Sequence, residues 1–157
     1  MNDDLDPQAM LAEVRSQAPL RELPRLDHEA CRRFGKAALR IAECERLSVS
    51  FAVFRGEQLV FSAAFDGTTA EHDGWIQRKR ATTLLHDIPS LGFVLRQKVA
   101  GRVPDWLDPL EFALAGGAVP LVVGGGAAGA MVATGLVGSI RDDHAFVMRA
   151  IATAQED

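Results

Sequence analysis

The order of apolar periodicities predicts an α+β protein, an antiparallel sheet flanked by helices in an α-β-α layering. Three observations carry that expectation. Phe34, Ala37, Ala38, Ile41 and Ala42 recur at helical spacing, residues 48–65 alternate in polarity about a central Gly56, and two apolar runs bracket a glycine cluster at 124–129. The first implies a helix lying on a sheet; the other two imply β-hairpins.

Each element has its own local reason. A short helix over 7–17 precedes a proline-containing connection over 19–26, and together they read as an N-terminal helical arm (1–26) before a single domain (27–157). Asp27 supplies an N-cap for the long helix bearing the Phe34 stripe. Ser48-Val49-Ser50-Phe51-Ala52-Val53-Phe54 turns at Arg55-Gly56-Glu57 and returns over 58–65. Helical patterns follow over 71–87 and 90–100, then a Pro104-Asp105-Trp106-Leu107-Asp108-Pro109 corner. Leu121-Val122-Val123 and Met131-Val132-Ala133-Thr134 make the second hairpin. Ser139-Ile140-Arg141-Asp142 fits a capping box opening a last helix with Phe146, Val147, Ala150 and Ile151 on one face.

Composition limits the function classes. A chain of 157 residues fits one domain and buries roughly 68–70% of its unfolded surface, so a core needs neither disulfide nor metal. With 48% hydrophobic and 24% charged residues it is globular rather than disordered. Seventeen basic against twenty-one acidic residues repel a phosphate backbone, so nucleic acid is not an expected partner. The start MNDDLDPQAM lacks the basic and apolar regions of a signal peptide, which places the expected location in the cytoplasm. Cys31 and Cys44 fall on different sides of one helix and read as reduced thiols. The stretch 112–140 carries no charge and exceeds the ~20 residues of a membrane span. Its eight glycines and Pro120 suit a hairpin better, and no membrane partner is expected.

Gly124-Gly125-Gly126-Ala127-Ala128-Gly129 satisfies G-x-G-x-x-G, but a β-favouring run follows it instead of a helix and position 149 is Arg149, so a hairpin turn is expected rather than a dinucleotide site. In Trp75-Ile76-Gln77-Arg78-Lys79-Arg80 a helical wheel sets Arg80 between Ile76 and Leu84, with Arg78 and Lys79 on a solvated side. A guanidinium in an apolar stripe needs a partner, with Asp66, Asp73, Asp105 and Asp108 as candidates. His28, His72, His86 and His144 match no metal-ligand spacing, so no metal site is expected, and His144 reads as a solvated first-turn residue. Ser62, Ser90 and Ser139 lack a nucleophile elbow.

Several segments in this order resemble a family of small cytoplasmic proteins within the GlcG/HbpS-like superfamily, the haem-degrading-domain proteins. They are Ala30 with Phe34-Gly35, Leu59-Val60-Phe61, Trp75-Ile76 with Arg78-Lys79-Arg80, the Pro104 to Pro109 corner, Gly116-Gly117-Ala118-Val119-Pro120-Leu121, Thr134-Gly135-Leu136, and Asp143-His144-Ala145. The resemblance implies a profilin-like or PAS-like sheet and homodimers assembling further. Two positions depart from the family pattern: the histidine usual before the Gly-Gly pair is Ala115, and the usual Ser-Gly-Leu-Pro reads Thr134-Gly135-Leu136-Val137. The functional expectation is a homo-oligomeric protein binding a small anionic or haem-like molecule through Trp75, Arg78, Lys79, Arg80, Gly116, Gly117 and His144. Haem is expected to bind weakly at most. The alternatives are a haem-degrading or other enzyme, and a structural or adaptor oligomer.

Overall fold

The computed structural model describes residues 6–156. Helix α1 (Pro7–Ser16) opens with Asp6, whose carboxylate accepts the Gln8 N–H at 3.3 Å, and a 3-10 turn (Ala18–Arg21) leads to strand β1 (Glu22–Leu23). Helix α2 (His28–Glu45) begins where Asp27 accepts the Ala30 N–H at 2.8 Å and stops at Arg46 in the left-handed region. Strands β2 (Ser50–Arg55) and β3 (Gln58–Ala64) form the first hairpin. Helices α3 (Ala70–His86) and α4 (Ser90–Ala100) follow, then β4 (Ala118–Val123), β5 (Gly126–Thr134) and α5 (Asp142–Glu156).

The strands lie in the order β1-β4-β5-β2-β3. All neighbours are antiparallel except β1, a two-residue strand parallel to β4 through Glu22↔Val122 and Leu23↔Val123. From sequence this segment is a plain connection, because two residues are too few for alternation to show. Phe51, Val53, Val119, Leu121, Met131 and Ala133 point to one face and pack with Phe34, Ala38 and Cys31 of α2 and Phe146, Val147 and Ile151 of α5. Ala52, Phe54, Ala118, Ala130 and Val132 point to the other and meet Ile76 of α3. Outside this layer Met10, Leu11 and Val14 of α1 pack on Leu91 and Leu95 of α4.

The uncharged stretch folds as the β4–β5 hairpin, and among the described residues no helix is long and apolar enough to cross a membrane. Gly124 and Gly125, at φ 60 and 88°, form its two-residue turn, the primed geometry that glycine favours. The strand then starts at Gly126, earlier than the Met131 run suggested. Gly129 is small for a steric reason: a Cβ there would strike the Phe54 carbonyl and come within 2.7 Å of Leu26. Within the glycine run, Gly124 and Gly125 make the turn and Gly129 is the strand position pressed against its neighbour.

Candidate functional site

Helix α3 has weak amphipathicity because its sheet-facing side is partly polar. Ile76, Lys79, Thr82 and Thr83 are buried there, and each polar group finds a main-chain partner. Thr82 Oγ1 donates to the Ala113 carbonyl (2.9 Å), Thr83 Oγ1 to that of Ile88 (2.6 Å), and Lys79 Nζ to that of Ala133 (2.9 Å). Lys79 is 2% exposed and also pairs with Asp143 at 3.0 Å. The Asp143 carboxylate in turn accepts the Leu136 N–H at 3.0 Å. Burial pulls the ammonium below its ordinary value and raises the carboxylic acid, while the attraction between the two opposes both effects. One ion pair thus fastens α3, the end of β5, the loop after it and the start of α5.

Gly116 and Gly117 complete this junction. Gly117 has φ +127, and a Cβ there would lie 2.9 Å from Asp143 Cβ and 3.0 Å from Lys79 Nζ. A Cβ on Gly116 would come within 2.8 Å of the Ile140 carbonyl and 3.1 Å of Leu91. The pair is glycine because two chain segments and an ammonium occupy the side-chain space.

Above the junction lies an apolar trough made of two cavities that share Val94 and Leu114. The first, about 480 Å³, is walled by Leu136, Val137 and Ile140, with Ala115, Gly116 and Asp143 at its base. The second, about 380 Å³, adds Val103 and is bordered by Lys98 and Arg102. Val137 is 97% exposed, and Val103, Leu114 and Ile140 are also exposed. No histidine, cysteine or methionine lines either cavity, and the short Ala115 sits at the base of the first.

Of the seven residues singled out from sequence, the structure brings Lys79, Gly116 and Gly117 together. The buried cation of α3 is Lys79, which corrects the expectation that Arg80 fills that role and that Lys79 is solvated. A hydropathy wheel turns the most apolar stripe to the sheet; the observed face is turned toward Lys79 and the threonines. Arg80 is half-buried, 4.4 Å above the Phe54 ring and donating to the Glu57 carbonyl at 3.2 Å; it pairs with none of the four aspartates proposed for it. Arg78 stacks on Trp75 at 4.2 Å and reaches the Pro109 carbonyl.

His144 is also displaced from its expectation. It is 4% exposed, bonded through Nε2 to Gln17 at 2.7 Å, and lies apart from the Lys79 junction, beside α1. Burial, with the charge of Arg21 nearby, lowers its pKa to about 4. Its Nδ1 and Arg21 Nε are both buried without a partner. His72 bonds the Thr69 N–H at the start of α3, and His86 stacks on Phe93 and Trp106. Among the described residues no three His, Cys, Asp or Glu side chains could share a metal ion. Sequence reasoning missed Asp143 as partner and Lys98 and Arg102 as trough cations. The apolar loop positions Leu114, Val137 and Ile140 were its only available signal, as uncharged residues outside any strand.

Comparison with known proteins agrees with this architecture. Residues 26–152 match the family described as haem degrading protein HbpS-like. The chain is 31% identical over 145 residues to a UPF0303 protein of Streptomyces avermitilis, covering 90% of this chain and 88% of the relative. It is 32% identical over 156 residues to a UPF0303 protein of Sinorhizobium medicae, covering 97% and 92%. The fold is similar to the crystal structure of Ybr137w protein, with TM-score 0.82 and 17% identity over 94% of this chain and 88% of that one. It is similar too to HbpS (TM-score 0.66, 22% identity, 82% and 89% covered) and to a PduOC:heme complex (0.65, 17%, 81% and 93%). With its five-stranded sheet between helices and a sequence match spanning most of its length, the chain belongs to the HbpS-like family of the haem-degrading-domain superfamily.

Proposed function

We propose that this is a cytoplasmic, homo-oligomeric small-molecule-binding protein whose ligand is a flat or elongated apolar molecule bearing carboxylate, with haem-like rings inside that class. Neither nucleic acid nor a membrane enters this reading. The trough carries it: an apolar concavity with few polar groups, bordered by Lys98 and Arg102. The guanidinium of Arg102 and the ammonium of Lys98 suit carboxylates at a ligand's edge. Lys79, committed to Asp143 and the Ala133 carbonyl, holds the trough wall instead of the ligand. In this reading Trp75, Arg78, Arg80 and His144, expected from sequence to bind the ligand, lie outside the trough lining.

The trough suits the ring and carboxylates of haem but not its iron. Strong haem sites supply His, Cys, Met or Tyr to the metal, and none lines this surface. Absorbance titration with haem and with metal-free protoporphyrin therefore gives similar, micromolar or weaker affinities and a broad haem band. Replacing Lys98 and Arg102 together by alanine weakens both ligands; His144→Ala leaves them unchanged. Failure of haem, protoporphyrin and a simple aryl carboxylate to bind sinks the reading. A sharp six-coordinate spectrum lost on replacing one histidine overturns the edge-held mode.

A further inference from the structure

The two borders of the sheet are unlike. At one side β1 is two residues long and is followed by Pro24, which leaves little edge for another strand. At the other, β3 runs seven residues, Gln58-Leu59-Val60-Phe61-Ser62-Ala63-Ala64, with no charged residue and no proline. Leu59, Ser62 and Ala64 are exposed, Leu59 at 52%. Because Phe65 N–H donates to the Val49 carbonyl and Phe65 lies beyond the Ala64↔Ser50 pair, Ala63 and Phe61 share the ladder to β2. The main-chain groups of Ala64 and Ser62 therefore face outward, up to the bulge at Val60, where the pairing steps from Val53↔Phe61 to Phe54↔Leu59.

Resting on the reading of this protein as a homo-oligomer, we propose that β3 is its dimer interface, pairing antiparallel with β3 of a second copy about a two-fold axis at Ser62. That register sets Ser62 opposite Ser62 of the partner subunit and joins outward-facing groups to outward-facing groups. It also lays Phe61 against a small residue, the alternation β2 already uses where Phe51 lies opposite Ala63. Charge supports the same occupant. Arg80 is held over Phe54 at the Glu57 end of β3, while Asp66 follows its other end, and among the described residues neither forms an ion pair. Antiparallel pairing brings each Arg80 end to the other copy's Asp66 end. The groove of about 440 Å³ between α3 and β3, floored by Ala52, Ser62 and Ala64, is open at this edge and gains its missing side from the second copy.

The test uses the full chain. Light scattering gives the native protein at least twice the single-chain mass. Ser62→Pro removes an outward N–H without touching the β2 ladder, and it halves the mass with an unchanged circular dichroism spectrum. Arg80→Glu weakens dimerisation about tenfold or more, and Arg80→Glu with Asp66→Arg restores it. Ser62→Cys, in a Cys44→Ser background, gives a reducible covalent dimer under mild oxidation. A native multimer whose mass ignores Ser62→Pro and whose Ser62→Cys form does not crosslink overturns this interface but leaves self-association standing. A monomeric native chain at 100 μM, on the order of tenfold above a typical transient dissociation constant, overturns both and leaves the edge to a strand of a different protein; ligand titration reports on the trough independently.

Discussion

Lys79 and Asp143 show how a buried charge can be worth little as a pair and much as a constraint. Removing one partner strands the other in a nearly dry site, so Lys79→Ala is expected to cost about 3–5 kcal/mol. Replacing both by apolar residues of similar size costs much less, because desolvation of the two charges is relieved together. Arg78→Ala, losing the stacking on Trp75 and the hydrogen bonds to the Gly74 and Pro109 carbonyls, costs roughly 0.5–1 kcal/mol. Urea unfolding of the three variants checks the ranking, and equal losses at 78 and 79 would contradict it. His144 gives a pH signature. Its pKa is about 4 when folded and 6.5 ordinarily, so between these values the unfolded chain binds more protons. Its contribution is complete above about pH 6.5 and falls as pH drops toward 4, by about 3 kcal/mol in total. His144→Leu removes that component, seen as a flatter stability profile between pH 7 and 4.5.

The strongly periodic elements were readable from the sequence. Asp27, the Phe34 stripe and the alternation around Gly56 each had one physical explanation, and helices and hairpins followed. Orientation was harder. The rotation of α3 escaped a hydropathy wheel because threonine hydroxyls and an ammonium can face a sheet when main-chain carbonyls await them, as those of Ala113 and Ala133 do. Those acceptors come from segments tens of residues away. The solvated reading of His144 failed for the same reason: Gln17 lies 127 positions earlier. The trough was legible only as unexplained apolar loop residues. In the glycine-rich hairpin, position decides tolerance. Gly129→Ala forces a methyl onto the Phe54 carbonyl and is expected to cost about 1–3 kcal/mol. Gly124→Asn suits a primed turn with open space around it and stays within about 0.5 kcal/mol. Thermal melts of the two variants report this contrast.

For the whole molecule, an arm at 1–26 and a domain at 27–157 would unfold separately only if the arm's contacts were weak. Yet Leu11 and Val14 are buried against Leu91 and Leu95, and β1 is a member of the sheet. We therefore propose one cooperative unit. Leu11→Ala and Leu95→Ala should each cost about 2–5 kcal/mol, with a coupling of roughly 0.5–3 kcal/mol in the double variant. A single calorimetric transition is expected for the native chain; two resolved transitions would identify an independent arm.

Pro120 gives the brevity of β1 a further meaning. The Ala133 N–H donates to the Gly117 carbonyl, and the Val119↔Met131 and Leu121↔Gly129 pairs continue that ladder, which leaves Pro120 facing away from β5. Its missing N–H lies on the β1 side, beyond the reach of β1, which pairs only with Val122 and Val123. That border therefore cannot template another strand along its length. A sheet with one closed margin and one open margin has a built-in stopping rule: joining two copies at β3 exhausts the edges, and head-to-tail growth into a fibre has no second end from which to continue.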